Sequence, residues 1–147
     1  MNRVRAKLLI MVAAGSLIFS NSIVAQVSPY APKPIAPPAP RAAHVGISQG
    51  PELEITKGSL AIIRWTTNNP GGTDVHFGIV HYGTNPNDLN QMAKNPIHIN
   101  HSHPDTTFRV RIDGLSPQTT YYYTVASEEA TGTNDGVKSS VKKFSTQ

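Results

Sequence analysis

The sequence predicts an all-β sandwich of seven strands, and three observations predict it. Short runs of β-branched and aromatic residues recur from His44 onward, clusters of Gly, Pro, Asn and Asp separate them, and no stretch repeats its apolar residues at the helical period. Residues 44–147 form the expected domain, long enough to bury a core without metal or disulfide. The chain has no cysteine, so covalent staples are excluded and the core alone must stabilise it.

The elements follow in chain order, beginning with an export signal over residues 1–25. Arg3, Arg5 and Lys7 form a cationic start, an apolar run follows over 8–19, and small and polar residues lead to an expected cut after Ala25. The apolar run falls short of the roughly 20 residues a spanning helix needs, so no membrane span is expected after cleavage. The expected location is secreted, or periplasmic within the cell envelope. Three of the thirteen Lys and Arg leave with the signal while all nine Asp and Glu stay, which leaves a net charge of +1. That balance, with no basic stripe, argues against nucleic acid as a partner.

Residues 26–43 read as a Pro/Ala-rich linker. Pro29, Pro32, Pro34, Pro37, Pro38 and Pro40 fix φ and remove backbone donors, giving an extended spacer ahead of the domain. Beyond it, extended segments are expected near 44–48, 52–56, 59–67, 75–82, 91–94, 106–112, 119–128 and 137–145. Gly50-Pro51, Lys57-Gly58, Asn68-Asn69-Pro70-Gly71-Gly72, Asp113-Gly114 and Asn134-Asp135-Gly136 punctuate them as turns.

Alternation assigns faces. Phe108, Val110 and Ile112 share one side of their strand, and Thr107, Arg109 and Arg111 the other. Ala61, Ile63 and Trp65 likewise share a face, which places Trp65, the single tryptophan, at the centre of the core.

Leu115-Ser116-Pro117-Gln118-Thr119-Thr120-Tyr121 resembles the corner of fibronectin type III domains, a branch of the immunoglobulin-like sandwiches. The resemblance implies that Leu115, Pro117 and Tyr121 shape the crossing between sheets, with the Tyr121 hydroxyl bonding to the chain just upstream. A closer likeness is to the N-terminal domain of secreted purple acid phosphatases. Ile62-Ile63-Arg64-Trp65-Thr66-Thr67, Val80-His81-Tyr82-Gly83-Thr84-Asn85-Pro86 and the Tyr121-Tyr122-Tyr123 run carry it. In those enzymes the domain accompanies a separate metallophosphatase domain, with Gly-Asp and Gly-Asn-His-Glu type motifs. This chain holds no Gly-Asp dipeptide, and its Asn100-His101 is followed by Ser102. The resemblance therefore implies an accessory domain without catalytic residues, and fold alone does not confer the activity.

Candidate sites are few. His98, His101, His103 and Asp105 form a metal-like cluster, since alternate residues of an extended segment point the same way. Asn100-His101-Ser102 also fits a glycosylation sequon. His76 and His81 read as polar positions on their strand. If Val80 and Tyr82 face the core, then Phe77 and Ile79 face outward beside Tyr122 as an interface, unless Gly78 marks a bulge. The polar loop over 128–136 is a second candidate recognition surface. No nucleophile elbow, phosphate cradle or paired-acid motif occurs, so no catalytic residue and no cofactor are expected. The reading is a non-catalytic binding module for an extracellular or envelope protein or glycan. Its alternatives are a shortened relative of the phosphatases and a small His-based metal-binding protein.

Overall fold

A computed structural model describes residues 37–147, so the export signal and most of the linker lie outside the described residues. Eight strands follow one another: β1 (Ile47–Lys57), β2 (Leu60–Asn68), β3 (Val75–Gly83), β4 (Gln91–His98), β5 (Asp105–Ile112), β6 (Thr120–Glu129), β7 (Asn134–Lys138) and β8 (Lys142–Ser145). They form two antiparallel sheets, one ordered β1-β2-β5, the other β4-β3-β6 with both β7 and β8 on the far side of β6. Because β8 pairs with residues 120–123 and β7 with Ala126 and Glu128, the last two strands share one edge position. Eight strands thus fill the seven places of the expected sandwich.

The inner faces close on a core that follows from period-two patterning. Strand β5 alternates without exception, its Thr106, Phe108, Val110 and Ile112 buried and its Asp105, Thr107, Arg109 and Arg111 exposed. Trp65 stacks on Phe108 with ring centroids 5.2 Å apart and 14° between planes. Ile63, Val80, Val110 and Val125 are fully buried around them. At the other end Tyr121 stacks on Phe144 at 5.7 Å and meets the edge of Tyr82 at 6.2 Å. Leu115 is buried beside them, and the Ser116 amide donates to the Tyr121 hydroxyl at 3.0 Å, fixing the crossing.

Strand boundaries differ from the expectation in four places, each for a local reason. The segments expected at 44–48 and 52–56 are one strand, because β1 runs through Gly50-Pro51 with register shifts instead of turning there. Strand β4 extends to His98 across Pro96, which an edge strand tolerates because its N–H side need not pair. Asn134-Asp135-Gly136, expected as a turn, lies in β7, and the expected last strand breaks at Ser139 and Ser140. The loop expected over 128–136 shrinks to residues 130–133, since β6 continues to Glu129 and β7 begins at Asn134.

The end of the proline-rich stretch is tied to the domain. The Gly72 amide donates to the Ala39 carbonyl at 3.0 Å and the Ala42 amide to the Pro70 carbonyl at 2.8 Å. Gly71 and Gly72 both have positive φ, and a Cβ on Gly71 would stand 2.0 Å from the Pro40 carbonyl oxygen. The glycine pair therefore admits residues 39–42 against the sheet.

Candidate docking surface

The outer faces of the two sheets differ in kind. On β1-β2-β5, Arg109 holds Glu54 through two bonds of 2.8 and 2.9 Å, Arg111 holds Asp113, and Arg64 pairs with Glu52. Each of these three arginines has its own carboxylate, and Lys57 at the end of β1 lies outside these pairs. The Asp113 carboxyl is held below the ordinary carboxylate range by its bond to Arg111. Arginine–carboxylate pairs dominate this face, which also carries exposed Ile55.

The outer face of the second sheet is concave. Its floor is His81, Thr124 and Ala126, one end is the Pro86, Asn87 and Leu89 loop, and its side wall runs from Asn134 through Gly136 to Val141. Together they enclose an open groove of about 730 Å³. The local sequence explains the shape. Thr124 and Ala126 are small, and the Ser139-Ser140 break leaves residues 139–141 outside the ladder. There the Ser139 hydroxyl accepts from the Val125 amide at 3.0 Å, and the Ser139 amide donates to the Val125 carbonyl at 3.2 Å. Val141 remains 47% exposed at the wall, and Met92, opposite His81 on β4, is 59% exposed.

The residues singled out in the sequence lie around this groove without sharing one patch. Pairing is continuous through Gly78 on both sides, so no bulge occurs there. Phe77 is half-buried with the Lys94 ammonium 4.1 Å above its ring, and Lys94 also pairs with Glu128. Ile79 points the same way yet is 6% exposed, and Tyr122 stands opposite Gly83, two same-face positions further along β3. His81 sits between Ile79 and Tyr122 on the groove floor, a position that strand periodicity alone could have supplied.

His76 departs most from its expected place as a polar strand position. Its side chain is fully buried, its Nδ1 is 2.9 Å from Asp135 Oδ2, and its Nε2 is 3.0 Å from the Gly71 carbonyl oxygen. The ring is thereby held between a carboxylate and a backbone carbonyl. Arg41 completes the cluster at 3.2 Å from Glu129 and 3.5 Å from Asp135, so two basic side chains face two buried carboxylates. This network anchors residues 39–42; His76, Asp135 and Glu129 are buried in it, and Arg41 caps it from the exposed side.

The histidines of the β4–β5 connection are not gathered into a centre. His98 ends β4, His101 Nε2 is 3.1 Å from Asp74 Oδ1, and Asp105 opens β5. Among the described residues no three His, Cys, Asp or Glu side chains are placed to hold a metal ion. Asn100 is exposed, and its side-chain oxygen accepts from the Ser102 amide at 3.1 Å within a turn.

Two antiparallel sheets with seven strand places, a corner tyrosine bonded to Ser116 and a central Trp65 define a fibronectin type III-like sandwich domain. Comparison with known families adds that residues 49–146 match the family described as the purple acid phosphatase N-terminal domain. The chain belongs to that family, and no catalytic domain is evident within its 147 residues. No curated protein matches the chain. Among solved structures it is similar to the sensor domain of the anti-sigma factor RsgI4 in Pseudobacteroides cellulosolvens. That likeness has 19% identity and a TM-score of 0.45, and covers 70% of this chain and 87% of that one.

Proposed function

We propose that the protein is an exported, non-catalytic docking module that recognises an extracellular or envelope partner through the groove on its second sheet. The carrying observation is the contrast between the two outer faces. On one the three arginines are each paired with a carboxylate, whereas the other is concave and encloses about 730 Å³. Family membership supports the reading, because the matched region is an N-terminal domain and not a catalytic one. Export rests on the cationic and apolar start of the sequence. Among the described residues no helix is long and apolar enough to cross a membrane.

The test is chemical cross-linking of the full chain, and of an Ala126→Arg variant, in envelope and secreted fractions of the source. Arginine there fills the floor while the backbone ladder is kept. A saturable cross-linked partner should appear with the unaltered chain and vanish with the variant. Equal capture by both would move recognition elsewhere on the molecule.

A second reading is favoured by the family match: the partner is a separate metallophosphatase. Its signature would be a change in that enzyme's phosphate release on adding the chain, absent with Ala126→Arg.

A further inference from the structure

The charge around the groove specifies the chemistry of its occupant. Nine Lys and Arg lie among the described residues, and Arg41, Arg64, Lys94, Arg109 and Arg111 stand in ion pairs. Of the four that do not, Lys138, Lys142 and Lys143 lie together on β7 and β8. Lys138 is opposite Ala126 and Lys143 opposite Tyr122, so both stand on the groove face of the sheet. No Asp or Glu lines the groove. The His81 imidazole adds a further polar group to the floor. Lys138 in the wall, with Lys143 beside the groove on the same face, focuses the field of this concave site toward anions.

Shape narrows the class further. The wall is nearly continuous from Asn134 to Val141, so the groove runs along an edge of the sheet, where among the described residues β7 and β8 have no further strand beside them. Lys138 and Ser140 stand two residues apart along that wall, with exposed Val141 beyond them, in reach of an extended peptide laid along the edge. No Phe, Tyr or Trp lines the groove to stack on a sugar ring.

We infer that the groove takes an extended acidic peptide segment, its carboxylates at Lys138 and Lys143 and its intervening apolar side chains toward Leu89 and Val141. This deepens the docking reading and rests on it. Lysines on a sheet edge also deter edge-to-edge pairing, a role that needs exposure and no ligand.

The experiment is fluorescence anisotropy with a labelled octapeptide of alternating Glu and Val, against the same peptide with Lys for Glu. Amide shifts of the nitrogen-15-labelled full chain would map the contact. The Glu peptide should bind, shift the amides of Thr124, Ala126 and Ser140, and lose affinity at about 0.5 M salt. Lys138→Glu should weaken it about three- to tenfold. Lys57→Glu, a charge reversal away from the groove, should leave it unchanged and controls for net charge.

Equal binding of both peptides, no binding of either, or shifts confined to the Arg109 face would overturn the acidic peptide. So would displacement by polygalacturonate with no effect of the Glu peptide, which would make the ligand an acidic glycan. If the peptide fails while capture still depends on Ala126, the docking module stands and only its ligand class falls.

Discussion

At the scale of single residues, two positions show how tightly the core is specified. Gly78 shares the inward face with Val80 and Tyr82, and a Cβ there would lie 2.9 Å from Val110 Cγ2, 3.0 Å from Trp65 Cη2 and 3.2 Å from Phe108 Cδ1. Glycine is needed because two aromatic rings occupy the space a side chain would take. Gly78→Ala should therefore destabilise the domain by about 1 to 3 kcal/mol, the usual cost of overpacking, measured by urea denaturation. Tyr123 is the second position. Burial pushes its hydroxyl up to about 12, with Glu52 adding a smaller push in the same direction. The folded state then keeps a proton that the unfolded chain releases near pH 10. Stability from this group should hold below about pH 10 and fall as pH rises toward 12, followed by denaturation at stepped pH and by tyrosinate absorbance. His76 shows where reading the sequence stopped short. The alternation that turned Val80 and Tyr82 inward also turns His76 inward, but its partner Asp135 lies 59 residues away, and no local pattern links them.

At the scale of elements, strands with one buried and one wet face were the most legible, because periodicity marks both at once. Strand β5 is the clearest case, with every second residue buried. Broken and edge elements were less so. Asn134-Asp135-Gly136 carries every local turn signal, yet it pairs with β6 because Asp135 is drawn inward to His76 and Arg41. Tertiary bonding overrides turn propensity there. The same network governs the arm at residues 39–42. Arg41 supplies the contact to both buried carboxylates, so Arg41→Ala should release the arm and leave the sandwich folded. The amides of Ala42 and Gly72 should then exchange with solvent about tenfold faster or more, while those of β2 and β5 keep their rates. Unchanged exchange at Ala42 would show that the backbone bonds to Pro70 and Ala39 hold the arm unaided.

At the scale of the whole molecule, the fold class was readable because composition, alternation and turn spacing all pointed to one architecture. The family was readable too, from the Trp65 strand and the run ending in Tyr121-Tyr122-Tyr123, and residues 49–146 match it. The groove was not. It is made by the wall of residues 134–141 and the neighbouring β6 meeting His81 of β3 and the loop after it, which lie more than forty positions earlier, and nothing at either stretch signals the other. Phe77, Ile79 and Tyr122 share the face of the groove by alternation, but the concavity lies between and beside them, at His81, Thr124 and Ala126. The proposed role is contact and not turnover. The most direct measurement is phosphate release from p-nitrophenyl phosphate by the purified full chain, with iron, zinc or manganese added in turn. The account predicts a rate indistinguishable from buffer with each metal; release that is saturable in substrate and abolished by chelation would contradict it.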